Sequence, residues 1–113
     1  MPRYTYVVLT NPVDGKEEEF NDWYTNTHVH DALRVPGFVS AQRFELAPAQ
    51  RAATPYPWRY LAIYELETEN LQESVDALAA RYDTPEMAIS EALHPERLGL
   101  LFEAMGPRLE VKV

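Results

Sequence analysis

Cysteine is absent from the 113-residue chain. Without a thiol, the chain cannot form disulfides, bind a metal through thiolates or use a cysteine nucleophile. This composition suits a reducing compartment, so we expect a cytoplasmic protein. The first residues, MPRYTYVVLTN, contain only a short apolar run and no small-residue cleavage site, which does not predict a signal peptide. No run approaches the ~18 apolar residues of a membrane span, so we expect a soluble protein with no membrane partner.

Positive charge and glycine are also scarce. Ten Lys and Arg stand against 18 Asp and Glu, for a net charge of −8. A phosphate backbone is repelled by such a charge, and we expect no nucleic-acid partner. With four glycines and no glycine-rich loop, a nucleotide cofactor is not expected. His28-x-His30 with Asp31 lacks a further set of strong ligands, so we predict no metal site.

Aromatic residues are plentiful by contrast, with seven Tyr, two Trp and four Phe. Tyr and Trp combine an apolar ring with a polar group, which suits pockets and interfaces as well as cores. The length fits one domain, residues 1–113, with a modest core.

Hydrophobic periodicity predicts four strands and two long helices. Phe20, Trp23, Tyr24 and Thr27 have the i, i+3, i+4, i+7 spacing of a helix face. The predicted strands are 4–9, 38–46, 58–66 and 98–105, the helices 14–28 and 68–82, with a short helix at 85–93 and a strand-like tail at 108–113. The order βαββαβ predicts an α+β, ferredoxin-like fold: a four-stranded antiparallel sheet with both helices on one face.

The alternation within the strands predicts which face the helices cover. We expect them to cover the aliphatic side chains (Val7, Leu9, Leu61 and Ile63), leaving an aromatic face uncovered (Tyr4, Tyr6, Val8, Tyr60 and Tyr64). An exposed patch of that kind is larger than monomers usually show. It predicts a homodimer in which two sheets enclose an aromatic cavity, unless the faces are reversed or residues 47–57 fold over the patch.

The stretch 20–44 carries the densest chemistry and a family resemblance. Trp23-Tyr24-x-x-x-His28-x-x-Asp31, Val35-Pro36-Gly37-Phe38 and Ala41-Gln42-Arg43-Phe44 resemble the EthD-like branch of the dimeric α/β-barrel superfamily. The resemblance implies a ferredoxin-like chain paired into a dimeric α/β barrel. Relatives in that superfamily include cofactor-free cyclases, isomerases, monooxygenases and haem-binding enzymes. Many of them have proline where this chain has His30.

Nine residues are candidates for the site. His28 can act as general base or acid, or can simply be a helix-end histidine. Asp31 can orient His28 or cap the next turn, and Tyr64 can stabilise an oxyanion or only line a pocket. His30 points away from His28 if the helix is regular. The predicted catalytic residues are therefore His28, Asp31 and Tyr64, and the predicted substrate-binding residues are Tyr6, Trp23, Tyr24, His30, Tyr60 and Phe44.

Our leading hypothesis is a cofactor-independent isomerase, cyclase or lyase that acts on a small aromatic or polyketide-like oxygenated substrate. One alternative is a non-catalytic ligand-binding or stress-response dimer. Another is a monooxygenase that uses haem or oxygen, in which His94 could serve as an axial haem ligand.

Overall fold

The computed structural model describes residues 1–53 and 55–112. Its strands are β1 (Arg3–Thr10), β2 (Phe38–Glu45), β3 (Tyr60–Glu67) and β4 (Leu98–Glu103). Its helices are α1 (Glu17–Trp23), α2 (Val29–Ala32) and α3 (Leu71–Arg81), and a π-helical segment (Tyr24–His28) joins α1 to α2. The strands form one antiparallel sheet in the order β2-β3-β1-β4. The predicted ferredoxin-like architecture is confirmed.

The prediction of which sheet face is covered was wrong. Along β3, Tyr60, Ala62, Tyr64 and Leu66 are only 7%, 1%, 2% and 1% exposed. They belong to the core that α1 and the π segment cover, where the rings of Phe20 and Tyr60 lie 5.2 Å apart. The first helix places bulky aromatic rings against the sheet. A strand face that alternates large tyrosines with a small alanine leaves space for these rings, whereas aliphatic side chains of uniform size would not. The tyrosine-rich face is therefore the inner face.

The aliphatic side chains lie on the opposite face, which we call the open face. β1 and β3 contribute partly buried side chains there, whereas Leu98, Leu100 and Phe102 of β4 are 41%, 47% and 54% exposed. Strand register groups these side chains with Val7, Leu9, Leu61, Ile63 and Phe44. The surface that a second copy could cover is therefore aliphatic, with two phenylalanines.

Four smaller predictions about elements also need correction. The helix predicted from residue 14 begins at Glu17. The helix predicted from residue 68 begins at Leu71, because Asn70 caps it: its Oδ1 accepts a hydrogen bond from the Glu73 amide at 3.2 Å. The helix predicted at 85–93 is replaced by turns and isolated bridges, because Met87 and Leu93 are drawn into the core. The predicted strand in the tail is absent through residue 112, and Val113 lies outside the described residues.

The first helix is not a continuous α-helix. Its five-residue π segment, Tyr24–His28, contains two threonines and an asparagine, which are weak helix formers. π-helical turns use i→i+5 hydrogen bonds and occur most often at functional sites. Within residues 1–53 and 55–112, no helix is long and apolar enough to cross a membrane.

Candidate functional site

A cavity lies between the inner face of the sheet and the helices. Its polar lining consists of Tyr6, Thr10, Tyr24, His28, Tyr64, Tyr82 and Arg97. Its volume is about 80 Å³, and it opens to solvent on one side. A side compartment of about 220 Å³ shares Tyr6, Phe38, Leu78 and Gly99 with it and is otherwise mostly apolar. The two spaces together suit a flat, mostly apolar molecule with a few polar groups.

His28 is held in the cavity wall by two aromatic rings. Its imidazole stacks on the indole of Trp23, with ring centroids 4.6 Å apart and planes at 27°. The ring of Tyr24 meets it edge-on at 4.9 Å. Trp23 is fixed in turn, because its Nε1 donates a hydrogen bond to the carbonyl of Ala88 at 3.0 Å. The imidazole therefore has a defined orientation without a carboxylate to set it.

Burial decides the charge of His28. Loss of hydration lowers the pKa of His28 to about 4; the negative charge of Asp31 opposes this shift, whereas Arg43 and Arg97 add to it. At pH 7 the imidazole is neutral and can accept a proton. Its Nδ1 atom is buried and has no hydrogen-bond partner among the described residues. An unpartnered polar atom of this kind is costly and is expected where a ligand supplies the missing partner.

Tyr64, which also lines the cavity, carries a second unpartnered atom. Its hydroxyl oxygen is buried and makes no hydrogen bond of acceptable geometry with a described group. The Tyr24 hydroxyl is close enough to act on it: Tyr24 adds to the rise that burial causes in the pKa of Tyr64, whereas Tyr64 opposes the rise that burial causes in the pKa of Tyr24. Burial raises the pKa of Tyr64 well above its ordinary value and that of Tyr24 to about 12. Both phenols remain protonated at neutral pH and can donate hydrogen bonds.

Arg43 supports the site from behind the first helix. Its guanidinium donates to Thr25 Oγ1 at 2.7 Å and to Asn21 Oδ1 at 2.9 Å, and it lies 4.5 Å from the centroid of the Tyr24 ring. These contacts tie β2 to α1 and to the π segment. Arg43 is thereby occupied with holding the helix on the sheet.

Five predicted site residues lie outside the cavity lining: Trp23, His30, Asp31, Tyr60 and Phe44. Trp23 acts only through its contact with the His28 ring. His30 is exposed and Phe44 belongs to the open face. The Tyr60 hydroxyl donates to Glu17 Oε2 at 2.6 Å and accepts from Asn21 Nδ2 at 3.2 Å, below the first helix. Asp31 accepts from Arg34 at 2.6 Å.

The predicted hydrogen bond between Asp31 and His28 is therefore not formed, which corrects the orienting role expected for Asp31. Arg34 takes the carboxylate instead, because its guanidinium forms an ion pair with Asp31. What Asp31 retains is its electrostatic effect on His28.

Sequence reasoning missed three residues of the cavity: Tyr82, Arg97 and Gly99. The Arg97 guanidinium lies 5.0 Å from the centroid of the Tyr82 ring. A Cβ atom at Gly99 would come within 2.7 Å of the Tyr6 hydroxyl, so glycine leaves room for that ring. A glycine inside a predicted strand was the available signal, since it often marks a close approach.

The described residues contain no cluster of three or more His, Cys, Asp or Glu suited to a metal ion. In the haem-using alternative, His94 would be the axial ligand of the haem. His94 is not among the residues that line the cavity, and its Nδ1 accepts a hydrogen bond from the Glu96 amide at 3.0 Å. A cavity of about 80 Å³ is also too small for a macrocycle. The residues present do not fit haem.

Sequence comparison gives limited information. No protein-family profile matches the chain. Over 61 residues the chain is 38% identical to core atranone cluster protein 1 of Stachybotrys chlorohalonatus (strain IBT 40285). The matched stretch covers 52% of this chain and 24% of that protein. The chain thus spans about a quarter of that relative's length.

Solved structures support the fold more broadly. A provisionally assigned antibiotic biosynthesis monooxygenase from Nitrosomonas europaea superposes with a TM-score of 0.61 at 15% identity, over 93% of this chain and 92% of the other. An EthD family protein from Bacillus halodurans C-125 gives 0.54 at 15% identity, over 93% and 100%. A dimeric ferredoxin-like protein of unknown function from Thermobifida fusca YX gives 0.52 at 12% identity, over 91% and 92%. At these identities the likeness establishes the fold alone, and it is the fold that the EthD-like resemblance implied.

Proposed function

We propose that the chain is an enzyme that moves a proton on a small aromatic or polyketide-like oxygenated substrate, with His28 as the base and no cofactor. The observation that carries this proposal is that two residues lining one cavity each have a buried polar atom without a hydrogen-bond partner among the described residues, His28 Nδ1 and the Tyr64 hydroxyl. One atom belongs to a neutral base and the other to a neutral donor. Proton abstraction next to a carbonyl requires that combination.

In the proposed step, the imidazole of His28 takes a proton from the carbon next to a substrate carbonyl. The electrons of the C–H bond move to the carbonyl oxygen, which becomes an enolate. Tyr64 donates a hydrogen bond to that oxygen and keeps its own proton, because burial raises its pKa. The proton then returns to another carbon in an isomerisation. In a cyclisation the carbanion attacks an electrophile, and in an elimination it expels a leaving group.

The pKa of His28 restricts the substrate. A base with a pKa of about 4 is weak, so it suits carbon acids that are already acidic, such as 1,3-dicarbonyl compounds. The aromatic walls of the cavity favour a flat, conjugated molecule. The relative named for an atranone cluster also favours a role in small-molecule metabolism.

The test is hydrogen–deuterium exchange at the methylene between the two carbonyls of ethyl benzoylacetate in D₂O, followed by proton NMR. We expect the wild-type protein to accelerate exchange and His28→Gln to lower the rate about 100-fold or more. His30→Gln is the matched control, because that imidazole is exposed and outside the cavity. Equal rates for the wild type and His28→Gln would rule out His28 as the base.

Cofactor-free oxygenation is the second candidate, favoured by the structural neighbour assigned as a monooxygenase. The same deprotonation would yield a substrate anion that adds dioxygen to form a C–O bond, and the proton on His28 would return to the peroxide. Oxygen consumption that depends on substrate and on His28 supports this candidate, and exchange without oxygen consumption supports the first. Binding without either reaction leaves the non-catalytic ligand-binding dimer.

The open face supports a homodimer as part of this proposal. Its apolar side chains from β1 to β4 form one continuous surface of the kind that a partner usually covers. One structural neighbour is a dimeric ferredoxin-like protein. Because the cavity lies on the other face of the sheet, each protomer would keep its own cavity.

A further inference from the structure

Arg97 has no ionic partner among the residues that the structure describes. Across residues 1–53 and 55–112, no carboxylate comes within 4.0 Å of its guanidinium, although the chain carries 18 acidic residues. Three other arginines are paired: Arg81 with Glu86, Arg34 with Asp31 and Arg59 with Glu17. Arg97 instead lies over the ring of Tyr82. Among the described residues, its guanidinium is therefore available to an anion.

The position of Arg97 links it to the cavity. Arg97 immediately precedes β4. It lines the cavity together with Gly99, which lies two residues further along the chain. Its charge reaches three other lining residues: burial raises the pKa of Tyr6 and Tyr82 and Arg97 opposes this rise, whereas burial lowers the pKa of His28 and Arg97 adds to the fall. Asp83 acts on Tyr82 but forms no ion pair with Arg97. The side chain of Arg97 is exposed to solvent, so it lies at the solvent-facing boundary of the cavity.

We propose that Arg97 binds an anionic oxygen group of the substrate, so that the cavity accepts small aromatic oxyanions in preference to neutral analogues of the same shape. The planar guanidinium offers parallel N–H donors that match a carboxylate or an enolate. Its contact with the Tyr82 ring, 5.0 Å from the centroid, holds the guanidinium beside the cavity before the ligand arrives. The aromatic ring of the ligand would lie among Tyr6, Tyr64 and Phe38.

The volume limits the size of the ligand. About 80 Å³ admits a single substituted ring, and larger molecules would extend into the side compartment past Tyr6. This inference rests on the cavity being the substrate site, as in the proposed function. It is tested by equilibrium binding, so it does not depend on turnover.

The experiment compares 3-hydroxybenzoate with 3-hydroxybenzamide by isothermal titration calorimetry at pH 7. The two probes have nearly the same shape and differ in charge. We expect the wild-type protein to bind the benzoate about tenfold more tightly, which is the usual gain of one partly exposed charged hydrogen-bond pair. Arg97→Gln should remove this preference and leave the affinity for the benzamide unchanged. Arg97→Lys should keep part of it.

Arg108→Gln is the matched control, because it removes the same charge from the exposed tail. It should leave the preference intact. A wild-type protein that binds both probes equally, or neither, would overturn the inference. A preference for the benzoate that survives Arg97→Gln would also overturn it. The same holds if Arg97→Gln changes dimer dissociation but not the binding of either probe, because Arg97 would then pair with a second copy of the chain.

Discussion

Trp23 and His28 are five residues apart, and their rings are stacked at 4.6 Å. In an α-helix, residues five apart point roughly 140° away from each other. The π segment between α1 and α2 brings them to the same side, because its hydrogen bonds connect residues five apart. One face of the imidazole is thereby covered by an indole. The π segment creates the buried environment that keeps His28 neutral.

Removing that cover should restore the basicity of His28. In Trp23→Ala, water reaches the imidazole, and we expect the pKa of His28 to rise from about 4 towards 6.5. NMR titration of the imidazole protons measures it, with His28 assigned by the signal lost in His28→Gln. Trp58→Ala is the control, since Trp58 does not contact His28. An unchanged pKa in Trp23→Ala would show that other groups exclude the water.

The folding stability of the protein should fall at low pH in part because of His28. Its pKa in the folded protein lies below the unfolded value of 6.5, so the unfolded chain binds the proton more readily between pH 6.5 and 4. This contribution to stability is complete above pH 6.5 and is lost as the pH falls towards 4. From pH 7 to pH 5 we expect the wild type to lose about 2 kcal/mol more than His28→Phe.

Urea unfolding of both proteins at the two pH values measures this difference, and the acidic residues common to both cancel. A gap between wild type and His28→Phe that stays constant from pH 7 to pH 5 would mean that His28 is protonated equally in the folded and unfolded states.

The sequence predicted the fold because each element has its own local signal. The alternation in β1 and β3, the helix spacing after residue 16 and the order of elements all survive in the structure. Alternation shows that a strand has two different faces, but it does not show which one is covered. Tyr60 and Tyr64 are amphipathic, so their burial depended on the rings that the first helix brings to them.

The site was predictable only in part for a similar reason. His28, Tyr64, Tyr6 and Tyr24 meet in the cavity because they lie on elements that the fold brings together. The pairing of Asp31 with His28 was predicted from helical spacing alone, and that spacing does not show that Arg34 takes the carboxylate. Arg97 comes from a segment of turns more than sixty residues away, and no local pattern connects it to His28.

Tyr64→Phe should separate stability from function. The hydroxyl of Tyr64 is buried without a partner, so removing it should leave the unliganded protein as stable or raise its free energy of unfolding by about 1 kcal/mol. Catalysed exchange should fall, because the developing oxyanion loses its donor. Chemical denaturation and the exchange assay measure the two effects.

Tyr60→Phe is the matched control, since the Tyr60 hydroxyl is bonded to Glu17 and Asn21. It should lose about 1 kcal/mol of stability and keep its exchange activity. A loss of stability in Tyr64→Phe as large as in Tyr60→Phe would indicate that the Tyr64 hydroxyl has a partner in the unliganded protein.

Charge on the open face should prevent the proposed dimerisation. Phe102 and Leu100 are about half exposed and lie on the face opposite the cavity. A carboxylate in Phe102→Glu or Leu100→Glu would have to be buried at the interface without a partner, which costs several kcal/mol. We expect sedimentation equilibrium to give a dimer for the wild type and a monomer for either variant, with anion binding in the cavity retained. Leu109→Glu, in the exposed tail, should remain dimeric. A wild-type monomer, or a dimer that tolerates both substitutions, would contradict pairing through this face.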